Sequence, residues 1–213
     1  MNALGRPLTE EGLQNAAEEL ARRDSDLARV LDRLGAPPLC AREAGFPTLV
    51  HIILEQQVSL ASAKATFNKL GEAVSPLGPS AFLSLDDPTL KAIGFSGQKV
   101  RSCRKLALAI LDGSLDIDGL PLLPDDRVRA ELVTISGIGR WTADIYLLMA
   151  LGRPDVWPRG DLALLKAAQV VKGLAVPPTQ EEFVELGEPW RPWRSVAARM
   201  LWNHYLHPPG WAR

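Results

Sequence analysis

The sequence predicts an all-α protein, and three observations carry that prediction. Apolar residues recur at helical spacing in one segment after another, no stretch alternates polar and apolar residues as a strand would, and Gly and Pro separate the periodic segments. With 213 residues and 46% hydrophobic content, the chain can bury a sizeable core in one domain or two small lobes.

Leu8 to Arg23 reads as an amphipathic helix, capped by Thr9 and carrying Glu10 and Glu11 in its first turn. Asp26 to Leu34 is a second helix, stopped by Gly35 and the Pro37-Pro38 pair. Phe46 to Gln57 is strongly apolar and helical. Ser59 opens another helix reaching Val74, with Leu60, Ala63, Phe67 and Leu70 at helical spacing. After the break at Pro76, Gly78 and Pro79, Leu83 to Ile93 reads as one short helix. Gly97 to Leu111 is a longer helix that ends near Gly113. Ser114 to Asp125, with Pro121 and Pro124, is a loop. Helices follow over Asp125 to Thr134, Arg140 to Leu151, Asp161 to Lys172, Thr179 to Leu186 and Trp193 to His207.

No run of ~18 apolar residues offers a membrane span. The N-terminus, with Arg6, Glu10 and Glu11 around short apolar runs, lacks the apolar core of a secretory signal. The expectation is a soluble cytoplasmic monomer with no membrane partner. Cys40 and Cys103 stand far apart and are expected as buried, reduced thiols; they are too few to hold an iron–sulfur cluster. The net charge of −1 does not mark a nucleic-acid binder, but its distribution is uneven. Lys91 to Leu111 holds Lys91, Lys99, Arg101, Arg104 and Lys105 without an acid, and Pro189 to Arg213 holds four arginines without an acid. Such asymmetry predicts one basic face.

The densest pattern runs from Val133 to Ala168: V-T-I-S-G-I-G-R-W-T-A-D-I-Y-L-L-M-A, a loop rich in Gly and Pro, then D-L-A-L-L-K-A-A. Gly137 and Gly139, one residue apart, permit positive φ and let another backbone come close. The helix that follows is apolar on nearly every face, as a core helix is. Its first turn emerges at the hairpin, where backbone N–H groups and the positive dipole end suit an anion.

This order of features resembles the HhH-GPD superfamily of base-excision DNA glycosylases: a hairpin between helices, a Gly/Pro loop, and an aspartate opening the next helix. The I-G-R-W-T-A run and the later W-R-P-W-R-S run are similar to its AlkA branch, the 3-methyladenine DNA glycosylases II. The resemblance covers most of the chain and is weakest before Phe46. It implies a compact form without the branch's β-rich N-terminal domain. Two helical lobes would flank an active-site cleft, one over 36–125 and the other made of 1–35 with 126–213.

Cleaving an N-glycosidic bond places positive charge on the sugar, which an ionised carboxylate beside it stabilises. Asp161 fits, since it opens a helix whose positive end favours a charged acid. From the residue alone an ordinary helix cap is the favoured reading; the resemblance makes it the catalytic carboxylate. Asp155, after Pro154, and Asp144 are competing acids read as structural. In bifunctional relatives a lysine near the start of the hairpin's second helix attacks the sugar. Trp141 stands there, which implies a monofunctional enzyme.

Trp141 is either core filler or a wall of the base pocket. The resemblance gives it and Trp202 to the pocket, where aromatic faces suit cationic alkylated purines. Tyr146 and Phe46 are further wall candidates, while Trp190 and Trp193 support the last helix. In E-Q-Q-V-S-L-A-S-A, Gln57 matches the position that fills the gap left by an extruded nucleotide. Read from the residues alone, the glutamine pair also fits a simple helix end. The hairpin, through Gly137, Gly139, Arg140 and Trp141, is expected to hold DNA phosphate. The resemblance makes the carbonyls of Val133, Ile135 and Ile138 the candidate seat of a Na+ or K+ ion, and no other cofactor is expected. His204 and His207 lie three residues apart with no third ligand to complete a metal site.

The resulting expectation is a glycosylase that removes alkylated purines such as 3-methyladenine and 7-methylguanine from double-stranded DNA. A uracil, mismatch or oxidised-base glycosylase on the same scaffold and a non-catalytic hairpin module are the rivals. An aromatic pocket argues against the first and Asp161 against the second.

Overall fold

The computed structural model describes residues 7–207. Arg6, Arg213 and the chain ends on which the secretory-signal reading partly rests lie outside them. All regular structure among the described residues is helical: α1 (Glu10–Arg23), α2 (Ser25–Leu34), α3 (Phe46–Glu55), α4 (Leu60–Ala73), α5 (Pro79–Leu83), α6 (Asp87–Ile93), α7 (Gly97–Leu111), α8 (Asp125–Val133), α9 (Arg140–Met149), α10 (Leu162–Val171), α11 (Gln180–Gly187) and α12 (Arg194–Leu206). Short 3₁₀ turns cover Leu120–Leu122 and Glu188–Trp190. No described helix is long and apolar enough to cross a membrane.

Several of these helices start at side chains that replace missing backbone partners. Thr9, Ser59 and Ser96 accept the amides of Gly12, Ser62 and Lys99. Thr179 and Glu182 form a reciprocal capping box at α11. The helix expected from Leu83 to Ile93 begins only at Asp87, and the separate helix α5 occupies Pro79–Leu83, where a break was expected. Asp86 takes the Thr89 amide at 2.8 Å and starts α6 afresh, with Pro88 in the first turn where its missing N–H costs nothing. The expected loop from Ser114 to Asp125 contains the first 3₁₀ turn.

The chain divides into two compact units. One is Arg42–Leu151; the other comprises, of the described residues, 7–41 and 152–207. The lobe boundary expected near 125 therefore lies at Leu151, and the hairpin joins the unit that carries Gln57. The cause is α9, whose residues Thr142 to Leu148 are all buried and which packs on α3 and α8 of its own unit.

In the first unit α3 is the centre, buried along most of its length and packed by α4, α7 and α9. Phe46, Phe82 and Phe95 form an aromatic core at centroid distances of 5.9 and 5.8 Å. In the second unit α12 is the centre, packed by α1, α2 and α10. Trp157 stacks on Phe183 at 4.3 Å and meets the edge of Trp190 at 5.3 Å. Asp24 ties this unit together. One carboxylate oxygen caps α2, and the other accepts Lys172 Nζ at 2.6 Å and Trp190 Nε1 at 2.8 Å.

Candidate functional site

The hairpin in the first unit is built by its isoleucines. Ile135 and Ile138 are buried, and the Ile138 amide donates to the Ile135 carbonyl at 2.9 Å, closing the turn. Gly137 is required by the fold. Its φ of +99° lies in the left-handed region, and a Cβ there would overlap the Ser102 side chain. Gly139 is different. Its φ is −92°, and a Cβ would meet nothing within 4 Å. Packing within the chain makes no demand for glycine at 139, and the surface stays open for another molecule's backbone.

Gly139 also caps α9 and offers no side chain of its own to the helix's first amides. Arg140 follows, 54% exposed, its Nε 3.7 Å from Asp144. Asp144 itself is fully buried and pairs with Arg129 Nε at 2.5 Å, joining the two helices of the motif. That arginine was not singled out from the sequence, because nothing in a helix of nine residues marks which charge turns inward. Trp141 sits partly exposed in the first turn of α9.

The turn between α3 and α4 carries Gln57, exposed and with φ +58°. A non-glycine residue in that conformation is uncommon, and the helix expected to reach Gln57 in fact stops at Glu55. Gln56 and Gln57 stand as a pair in the sequence, but the two differ. Gln56 Nε2 donates to the Gly137 carbonyl at 3.0 Å and to Thr142 Oγ1 at 2.9 Å. Lys99 Nζ donates to the Leu54 carbonyl at 2.6 Å, in the last turn of α3.

In the second unit Asp161 caps α10, accepting the Leu164 amide on Oδ1 at 2.9 Å. The Trp202 indole N–H approaches the same oxygen at 3.3 Å. Asp161 is only 8% exposed. Trp202 therefore has a bond to the candidate carboxylate that the pocket-wall reading did not include. Asp155 is structural, as expected: it takes Arg194 Nε and Arg191 at 2.8 Å each.

Other candidates are corrected. Tyr146 is fully buried, and its hydroxyl accepts the Gly45 amide at 2.9 Å, at the start of α3. Phe46 is 4% exposed within the phenylalanine core. Both stand behind other side chains and hold the unit together, so neither presents a wall to a base. Cys40 is exposed, so only Cys103 is the buried thiol expected of both, and burial pushes its pKa up to about 12. Among the described residues the second basic stretch does not form a face, since Arg191 and Arg194 pair with Asp155 and Glu188, and Arg199 is buried with its Nε on the Leu39 carbonyl. In the first stretch Arg104 and Lys99 bind carbonyls, which leaves Lys91, Arg101 and Lys105 exposed. His204 faces Arg33 at 3.0 Å, and burial lowers its pKa. Among the described residues no three His, Cys, Asp or Glu side chains gather as a metal site. The Ile135 carbonyl accepts the Ile138 amide, one bond for a group with two lone pairs.

Comparison with known proteins adds to this geometry. The family described as HhH-GPD superfamily base excision DNA repair protein matches residues 50–192. DNA-3-methyladenine glycosylase 1 of Schizosaccharomyces pombe is 29% identical, over 74% of this chain and 71% of that protein. DNA-3-methyladenine glycosylase 2 of Escherichia coli is 31% identical, over 85% of this chain and 65% of that one. The solved structure of S. pombe 3-methyladenine DNA glycosylase Mag1 in complex with abasic DNA superposes with a TM-score of 0.84 at 27% identity, covering 88% of this chain and 95% of that one.

Proposed function

The chain belongs to the HhH-GPD superfamily of base excision DNA repair proteins, and from that premise we propose a monofunctional DNA glycosylase that removes alkylated purines from duplex DNA. The observation that carries the reading is Asp161: a buried carboxylate at the positive end of α10, with an indole N–H on one oxygen. A carboxylate held there stabilises positive charge developing on a neighbouring sugar.

In the reaction the bond between C1′ and the base nitrogen breaks, and both electrons stay with the base. An N-alkylated purine thereby loses its positive charge, which makes it a good leaving group. Water then bonds to C1′ and gives up a proton, leaving an abasic site. Asp161 stabilises the cationic sugar and orients that water. The protein works as a monomer and needs the target nucleotide outside the helix. Trp202, which bonds Asp161 within the second unit, offers its face to the cationic base. The open Gly139 and the uncapped start of α9 hold phosphate without reading sequence, together with Arg140. Carbonyls of Val133, Ile135 and Ile138 would hold a monovalent cation that adds positive charge next to that phosphate.

The test is base release from duplexes bearing 3-methyladenine, 7-methylguanine, uracil or 8-oxoguanine, with borohydride present in a parallel set. The expected result is release of the two methylated purines and no trapped protein–DNA adduct, because Trp141 offers no amine. Release of uracil or 8-oxoguanine alone, or a trapped adduct, would overturn the assignment.

A further inference from the structure

Gln56 and Gln57 are adjacent and chemically identical, yet the fold treats them oppositely. Gln57 is exposed in a left-handed conformation, whereas Gln56 is half-buried with its amide nitrogen shared between the Gly137 carbonyl and the Thr142 hydroxyl. The Gly137 end of that bond is itself backed by Ser102, which lies where a Cβ at 137 would stand and whose hydroxyl donates to the Gln98 carbonyl at 3.1 Å. The Thr142 end is 1% exposed on the first turn of α9. On the other side of the turn Lys99 bonds the Leu54 carbonyl at 2.6 Å, where the helix's last carbonyls lack partners and a cation is favoured.

We propose that Gln56 is a positioning residue that fixes the exposed Gln57 turn to the phosphate-binding hairpin, so that one rigid piece sets both where the DNA backbone is held and how far the inserted side chain reaches. The proposal rests on the reading of Gln57 as the residue that fills the gap left by the extruded nucleotide. A left-handed glutamine is costly on its own and persists when its surroundings over-determine it. The two bonds of Gln56 and the bond of Lys99 supply that determination. Inserting a side chain into a duplex offsets part of the cost of unstacking, and a turn free to swing would lose that benefit to disorder.

The test measures single-turnover release of an alkylated purine from paired and from single-stranded DNA, for Gln56→Met, Thr142→Val, Gln57→Ala and the Gln56→Met/Gln57→Ala double variant. Methionine keeps the length of glutamine without the donor, and valine keeps the shape of threonine without the acceptor. Gln56→Met is expected to slow release from paired DNA roughly tenfold, the scale of lost hydrogen bonds, with less than about a twofold change on single strands. Thr142→Val takes one of the two acceptors and gives a smaller loss of the same kind. The decisive reading is the double variant: once Gln57 is gone, removing Gln56 adds nothing further on paired DNA. Losses that multiply, or that fall equally on paired and single-stranded DNA, overturn the proposal and make Gln56 a strut of the fold. If Gln57→Ala alone shows no preference for paired DNA, the insertion reading itself fails, and that is seen in the single variant.

Discussion

α9 begins at Gly139, which has no side chain to offer its first amides, whereas α10 begins at Asp161, whose own carboxylate takes that place. Both helix starts favour negative charge for the same reason: unpaired N–H groups and the positive end of the dipole. They differ in who supplies it. The glycine start leaves room for an anion from outside, which suits a DNA phosphate. The aspartate start holds an anion that belongs to the protein and keeps it nearly buried, with the Trp202 indole on the same oxygen. One element of secondary structure thus serves as a binding site in one unit and as a holder of a reactive group in the other. A single residue type at the cap makes the difference.

The largest expected effect comes from removing the charge at α10 while keeping the cap. Asn caps a helix about as well as Asp, so Asp161→Asn should change stability by less than about 1 kcal/mol. Base release should fall at least about a hundredfold, the scale of losing a key electrostatic group. Thermal unfolding and single-turnover release, measured on one preparation, separate the two roles. A drop in stability with activity retained would reduce Asp161 to a cap.

Next come the two glycines. Gly137→Ala forces a side chain into a left-handed conformation and into Ser102. It should cost about 2–4 kcal/mol, from backbone strain and overpacking together. Gly139→Ala meets neither obstacle and should cost no more than about 1 kcal/mol, the difference between Gly and Ala as a cap. Urea unfolding of the two variants checks the contrast, and equal losses would mean that Gly139 is also held by packing.

The smallest effect fills the empty cap. Gly139→Asp should leave stability unchanged or raise it, since Asp is the better cap. It should weaken binding to damaged and undamaged duplex alike by about tenfold, because it puts an acid where phosphate belongs. Affinity titrations at two salt concentrations read this, with the wild-type affinity falling as salt rises. A loss limited to damaged DNA would show that the hairpin is no general anchor.

Much of this was legible in the chain itself. Helical spacing, Ser and Thr caps, and Gly and Pro breaks foretold the all-helical fold and nearly every helix, because these signals act within a few residues of where they stand. The same locality put Asp161 at the start of α10 and two glycines in the hairpin. What the chain alone left open is what depends on distant partners. Tertiary packing decided that Gly137 is fixed by Ser102 while Gly139 is open, and that Gln56 turns inward while Gln57 turns out. It also turned the arginines near the C-terminus to Asp155, Glu188 and Leu39, and closed Tyr146 and Phe46 inside the core. The reason is physical: spacing records which residues share a face of a helix, but whether that face meets solvent, a carboxylate or a phenylalanine is settled by elements far away in sequence.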